Sequence, residues 1–482
     1  MPRTSARTPR SGAVPVILAT SAAAFMVALD NLVVTTALPS IREHLHAGLE
    51  GLEWTVNAYT LTFAVLLLPA AALGDRLGRR RVFLSGLMLF TIASAAAALS
   101  RSTGMLVTAR ALQGVGGAAV MPLSLTLLQA AVPVHRRGAA LGVWGAASGL
   151  AVALGPVVGG AVTQGASWEF IFWLNVPIGL VLIPAARRVL PQASATPTTR
   201  LDLAGLVLVS GALFGIVFGI VRGASQGWTS TRVVLSFLAG AVLLTGFALQ
   251  ESRASSPMLP LRLFRHRAFS AVNAAALLMS FGMFGSVFLL AQYLQTVMGY
   301  SPLGAGLRTL PWTAMPVLVA PIAGPLSDRL GGRPLLLSGL ILQTAGLGWF
   351  MLAIHTGVDY PSLIPAFVLS GIGMGLFFVP VATVVFGSVE PAAAGVASGA
   401  NNSLRELGGT LGIAVLGSVF SATGGFASQA QFVAGLRPAL GVGAAVLAIG
   451  TVAALLIPRR SSGAAQLPAA APEAQSPQLV PA

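Results

Sequence analysis

Cysteine is absent from all 482 residues, which excludes a disulfide framework and any thiolate metal site. The five histidines share no ligand spacing, so a structural metal is not expected. Lysine is missing too: all 28 cationic residues are arginine, a bias of base composition from which no chemistry follows. Acidic residues number only 13, leaving a formal charge of +15. That excess does not indicate a nucleic-acid partner, because no basic patch is interleaved with aromatics and the arginines sit in short connectors between apolar stretches. No G-x-x-x-x-G-K-[ST] loop is present, so no nucleotide cofactor is expected.

What fills the chain instead is apolar residue, 55% against 9% charged, with a mean hydropathy of +0.84, far from the quarter-charged composition of soluble domains. It is the composition of a polytopic membrane protein. A crossing helix needs about 20 apolar residues. Candidates fall near 14–38, 52–73, 82–99, 105–132, 138–163, 170–186, 203–221, 231–249, 268–293, 305–326, 334–354, 361–386, 396–420 and 438–457. Arg3, Arg7 and Arg10 before an apolar run imitate a signal peptide, but the run continues to Leu38 and reads as an uncleaved first helix. The last residues, 461–482, rich in Pro, Ala, Gln and Ser, read as a disordered tail. Placing both termini in the cytoplasm puts 20 of the 28 arginines on the cytoplasmic side and five outside, the asymmetry expected of an inner-membrane protein.

Asp75-Arg76-Leu77-Gly78-Arg79-Arg80 and Asp328-Arg329-Leu330-Gly331-Gly332-Arg333 lie 253 residues apart, each between two apolar stretches. The same offset carries the first apolar stretch onto the ninth and the fourth onto the twelfth. The chain is an internal repeat. The expected architecture is all-α: a tail at 1–13, a six-helix bundle at 14–190, a linker with two extra helices at 191–267, and a second six-helix bundle at 268–460. Parallel repeats of this kind place a site between the bundles near the bilayer midplane and rock about it.

Eleven of the acidic residues fall in loops, tails or helix ends on these boundaries, leaving Asp30 and Glu406 inside spans. A carboxylate at depth costs about 3 kcal/mol on insertion scales, which makes each a functional candidate. Arg110, a few residues into the fourth span, lies at a depth similar to that of Asp30 and is its natural partner; a static ion pair that orders packing is the alternative. Arg405 and Glu406 are adjacent, about 100° apart on a helix, so they must find separate partners, and a snorkelling or gate-stabilising role suits their position. On the fifth span Gly138 and Gly142, Gly145 and Gly149, and Gly155 and Gly159 form pairs at i,i+4 that suit close helix approach, and Gly155-Pro156-Val157-Val158-Gly159-Gly160 adds a kink. In the two repeated turns, Asp75 and Asp328 are placed to cap the helix that follows and Gly78 and Gly331 to give the backbone a tight turn, an arrangement that reads as a cytoplasmic latch between bundles. Asn31, Asn57, Tyr59, Gln113, Asn273, Gln292, Tyr293 and Trp312 lie on spans and are candidates to line a substrate cavity, although each also fits helix packing.

These residues together resemble the major facilitator superfamily, and within it the fourteen-helix drug:proton antiporters. Asp75 to Arg80 is similar to the loop signature G-x-L-a-D-R-x-G-R-R, with Ala71 in place of the leading Gly, which the second copy keeps as Gly324. Leu29 to Pro39 resembles the first-helix L-D-x-T-I-V-N-V-A-L-P, Arg110 to Gly117 the fourth-helix R-x-x-Q-G-x-G, and Gly155 onward the antiporter motif, with Ala151 where its first Gly is expected. Trp168 to Gly179 is similar to W-R-W-I-F-x-I-N-V-P-I-G, with Glu169 reversing the charge of the usual Arg. The resemblance implies a monomeric carrier that expels an organic, amphipathic drug or antibiotic in exchange for protons, with Asp30 and Arg110 as the coupling pair and no cofactor. An importer or uniporter of a metabolite on the same scaffold is the rival reading, and a transporter-like receptor or membrane enzyme a more distant one.

Overall fold

The computed structural model describes residues 13–133, 136–191, 202–254, 257, 259–390 and 394–458. The C-terminal tail expected at 461–482 and nearly all of the N-terminal tail lie outside them. Among the described residues fourteen helices are long and apolar enough to cross a membrane. They are α1 (Ala13–Leu45), α2 (Leu49–Leu77), α3 (Arg79–Ala98), α4 (Thr103–Ala131), α5 (Arg137–Gly165), α6 (Phe170–Val189) and α7 (Leu203–Gln226). There follow α8 (Thr231–Arg253), α9 (Arg267–Thr296), α10 (Pro302–Leu330), α11 (Gly332–Ala353), α12 (Ile364–Gly387), α13 (Ala394–Thr423) and α14 (Gln429–Leu455).

Two of these helices break where proline dictates. α6 parts into Phe170–Trp173 and Asn175–Val189, and α10 into Pro302–Thr313 and Met315–Leu330. Pro177 and Pro316 have no N–H for the carbonyls of Trp173 and Trp312 four residues back, so the ladder is interrupted there. α14 starts nine residues earlier than the apolar run suggests, with Pro438 inside it. Proline is tolerated within a membrane helix when neighbours satisfy the freed backbone groups. Arg437 is consequently on that helix and not in a loop, with its Nε donating to the Met351 carbonyl at 3.0 Å.

The packing repeats along the chain. α1 lies on α5, α2 on α4 and α3 on α4 in the first bundle; α9 lies on α13, α10 on α12 and α11 on α12 in the second. The bundles meet along two seams, α5 with α10 and α2 with α13, and more lightly where α1 passes α9. The repeat relates one seam to the other. α7 lies across the second seam: its Arg222 Nε donates to Glu50 of α2 at 2.9 Å, and the Ser418 hydroxyl of α13 donates to the Ile220 carbonyl at 2.8 Å. α8 packs on α7 and turns Val234, Leu235, Leu238 and Val242 outward, a surface that only acyl chains suit.

The turns carrying Asp75 and Asp328 define one end of the molecule. At the opposite end the first seam is tight. Gly160 of α5 abuts the backbone of Pro302 and Leu303, Gly306 of α10 abuts that of Pro156 and Val157, and the Thr313 hydroxyl donates to the Ala153 carbonyl at 3.2 Å. Nearby, Gln295 of α9 donates to the Thr36 carbonyl at 2.9 Å and Arg42 stacks 3.8 Å above the Phe426 ring, each contact joining the bundles. Toward the Asp75 end the same two helices diverge. Gly142, Gly145 and Gly149 meet nothing within 4 Å, and neither does Gly324 of α10. The small-residue surface expected along the whole of α5 is thus close-packed only in its Gly155–Gly160 portion, where Gly155 meets Leu32 and Gly159 meets Val33 and Thr36. The first seam is thus closed at the far end and parted at the Asp75 end, while the second keeps α2 and α13 in contact as far as Leu68 and Gly399.

Candidate functional site

α1 and α4 cross inside the first bundle, and this crossing buries Asp30 and Arg110 completely. Arg110 Nη1 donates to Asp30 Oδ2 at 2.5 Å and to Gln113 Oε1 at 3.0 Å, while its Nε reaches the Thr55 carbonyl at 3.1 Å. Asp30 Oδ1 accepts from Gln113 Nε2 at 3.1 Å and from Asn175 Nδ2 at 2.7 Å. Gln113 also donates to the Ser94 hydroxyl at 2.7 Å, so α1, α3 and α6 each supply one polar side chain and α4 supplies two to a single network. The Arg110 guanidinium lies 4.2 Å above the Tyr59 ring, whose hydroxyl donates to the Val27 carbonyl. Three donors on one buried carboxylate, with an aromatic face behind the cation, compensate the cost of taking both charges out of water. One guanidinium nitrogen, Nη2, has no hydrogen-bond partner among the described residues.

The second bundle has the same framework without the charge. Gly116 abuts the backbone of Gly86 and Phe90, and Gly373 abuts that of Gly339 and Gln343. These matching contacts set the correspondence of α4 with α12 at 257 residues, which places Phe367 at the position of Arg110 and Ser370 at that of Gln113. Trp312 occupies the position of Tyr59, 253 residues on. Where the first bundle stacks a cation on an aromatic, the second packs Trp312, Phe350 and Phe367 together, with centroids 4.7 to 6.3 Å apart. A cleft between the bundles is lined by Thr35, Thr36, Thr309, Thr313, Trp312 and Phe367, among others. Its walls are threonine methyls and rings, and its hydroxyls already serve backbone carbonyls.

The expected cavity residues divide sharply. Trp312 lines the cleft; Tyr59 and Gln113 belong to the Asp30 network. Asn273 is tied up by Asn401 at 3.0 Å, Gln292 donates to its own helix, and the Tyr293 ring packs near Phe432 with its hydroxyl unpartnered among the described residues. Asn57 is fully buried with both amide atoms unpartnered, and Asn31 is half-buried. Arg405 and Glu406 are half-buried midway along α13. Arg405 donates to Asn402 at 3.3 Å and lies 4.4 Å above Phe378, while Glu406 comes within electrostatic reach of Tyr59.

The repeated turns work differently from a latch between bundles. Gly78 and Gly331 take φ of 101° and 82°, the left-handed region that favours glycine. Asp75 does not cap α3: it sits in the last turn of α2 and accepts from Arg79 Nε at 2.7 Å, and α3 has no side-chain cap; the side chain of Asp328 lies outside the described residues. Arg80 donates to the Arg187 carbonyl at the end of α6, and Arg333 donates to the Leu455 carbonyl at the end of α14, at 2.8 Å. Both arginines therefore tie the third helix of a bundle to the sixth of the same bundle, where helix C-terminal carbonyls favour a cation. Replacing Arg80 by Ala is expected to cost about 0.3–1 kcal/mol. A thermal-denaturation midpoint in detergent checks this, and Arg333→Ala should match it.

The buried acid among the helices of the first bundle, the repeated turns and the two-bundle packing can be set beside known proteins. A family model described as Major Facilitator Superfamily matches residues 20–413. The chain belongs to this superfamily. The Tetracenomycin C resistance and export protein of Streptomyces glaucescens is 40% identical over 419 residues, covering 86% of this chain and 77% of that protein. The Multidrug resistance protein Stp of Mycobacterium tuberculosis is 36% identical over 407 residues, covering 84% and 75%. A crystal structure of a POT family transporter in complex with 5-aminolevulinic acid superposes with a TM-score of 0.68 at 15% identity, over 92% of this chain and 96% of that one, a likeness of fold alone. As a major facilitator the chain is a multi-pass membrane transporter of small organic compounds, and its relatives serve drug and antibiotic resistance and export.

Sequence reasoning missed two members of the site and misplaced two further acids. Asn175 sits in the Trp168–Gly179 segment, where the sequence singles out only the reversed charge at Glu169, and Ser94 is one small polar residue in an alanine-rich helix. Glu53, assigned to a helix end, is 2% exposed, because α2 begins at Leu49 and carries it into the second seam. Glu251, likewise assigned to a helix end, is buried at the end of α8, where it accepts from the Leu259 N–H.

Proposed function

We propose that the protein is a proton-coupled exporter of organic, amphipathic drug or antibiotic compounds across the cytoplasmic membrane, working by alternating access. The Asp75 end is then cytoplasmic, as the arginine asymmetry requires, and the described state is open inward. The observation that carries the reading is Asp30: a carboxylate fully enclosed in the first bundle, held by three donors of which one is a cation. Ionised, it is matched by Arg110. Protonated, it releases that guanidinium, which keeps the Thr55 carbonyl, Gln113 Oε1 and the Tyr59 face as alternative partners. Two packings of one arginine give the first bundle two states that differ by a proton.

In the described state the cleft between bundles is nearly shut, with a volume of about 10 Å³, so substrate enters it only as the bundles part; its Trp312 and Phe367 wall then suits an apolar, ring-bearing body. The names of the relatives support export over import. Inward proton movement contributes about 2.3 kcal/mol per 100 mV for each charge, enough to sustain a steep outward gradient.

The test is purified protein in vesicles holding a pH gradient. Adding an amphipathic dye is expected to accelerate proton movement, and collapsing the gradient with a protonophore to stop dye transport. Dye transport indifferent to the protonophore would remove the coupling and leave the uniporter reading.

A further inference from the structure

The second seam holds an acid that the cycle just described does not use. Glu53, in the second turn of α2, is 2% exposed and its carboxylate packs on Gly417 of α13, across the boundary between the bundles. By the 253-residue offset its position corresponds to Gly306 of α10. In the first seam that position closes backbone against backbone, with Gly306 on Pro156 and Gly160 on Pro302. The two seams are thus the same device, and one of them closes on a carboxyl group.

The surroundings give this group nothing to hold its charge. Among the described residues no hydrogen bond or ion pair reaches Glu53, and its 2% exposure leaves the carboxylate only a trace of solvent. From its own helix the charged neighbour is Glu50, which is committed to Arg222 of α7 at 2.9 Å. α13 offers no titratable side chain between Leu407 and Thr423, and Arg110 of α4 is committed to Asp30. An anion enclosed without donor or cation opposes closure, whereas a neutral carboxyl packs.

We infer that Glu53 is a second proton-binding residue, whose protonation from the outer solution permits the α2–α13 seam to close and whose ionisation holds it open. The proton enters and leaves on the same side, so Glu53 sets the gate without adding to the protons carried per cycle. The sign suits the exporter: external acid favours outer closure and returns the carrier to the inward-open state. The inference rests on the exporter reading only for naming the far end as the outer one.

The absence of cysteine makes a two-label distance measurement direct. Spin labels on cysteines replacing His44 at the end of α1 and Ala422 at the end of α13, both exposed, report the far end. The measurement is made in an Asp30→Asn background, so that proton coupling at Asp30 contributes nothing. With Glu53 present, the long-distance population is expected to grow about threefold or more between about pH 5.5 and pH 8. Glu53→Gln should keep the short distance throughout, and Glu53→Asp should keep the response. An equal response in Glu53→Gln, or none with Glu53 in place, overturns the inference. Dye-driven proton movement in vesicles, measured separately, decides the exporter reading whichever way the distances fall.

Discussion

Asp30→Asn is expected to abolish substrate-driven proton movement while leaving a folded carrier, and Arg110→Ala to damage the fold itself. The asymmetry follows from what each change leaves behind. Asparagine keeps the volume of Asp30, and Arg110 still has Gln113 Oε1 at 3.0 Å, the Thr55 carbonyl at 3.1 Å and the Tyr59 ring at 4.2 Å. Alanine at 110 removes the largest polar side chain in the core, opens a void beside Tyr59 and Phe172, and strips Asp30 of its cation. Removing one partner of a buried pair costs about 3–5 kcal/mol. The Asp30→Asn/Arg110→Ala double variant is expected to cost less than the sum of the singles, because the second change removes the charge the first left alone. Urea or thermal unfolding in detergent gives the stabilities, and a pH-sensitive dye inside vesicles gives the coupling. Undiminished proton movement in Asp30→Asn would end the role assigned to this carboxylate.

How much of this site was legible beforehand depends on the kind of signal each residue carries. Asp30 and Arg110 stand out because charge inside an apolar span is costly, and cost is visible in a single sequence. The fourteen spans and the two bundles are visible for a related reason, since hydropathy and a 253-residue offset survive without any contact being known. Asn175 and Ser94 carry no such mark. An amide or hydroxyl in a membrane helix costs little when it can bond its own backbone, and only the α1–α3–α4–α6 crossing brings these two to the Asp30 network. Glu53 was misplaced by a boundary, because Leu49 to Gly51 lengthen α2 by about one turn and so carry an apparent helix-end residue into the seam. The arginines of the repeated turns were legible as special but not as to partner. Only the return of α6 and α14 to the Asp75 end shows that each clamps its own bundle.

Gly160→Ala and Gly306→Ala are expected to reduce transport to near the background, by a route unrelated to protons. At this crossing of α5 with α10, a methyl on Gly160 would occupy the space of the Pro302 carbonyl, and one on Gly306 that of the Pro156 carbonyl. Neither obstacle is a side chain that can turn away; both are backbone, so the helices themselves must separate. Far-end closure is then penalised while the opposite state is untouched, and the carrier shifts toward opening outward. Overpacking of this kind typically costs about 1–3 kcal/mol, which moves a two-state balance by roughly 5- to 150-fold. Ala at Gly145 is the control, since nothing lies within 4 Å of it in the described structure. That variant should leave far-end closure intact and, if it acts at all, resist closure at the Asp75 end. Distances between the labels at His44 and Ala422 separate the two effects: lengthened by Gly160→Ala and Gly306→Ala, unchanged or shortened by Gly145→Ala. Equal lengthening by all three would mean that the crossing is not what shuts the far end.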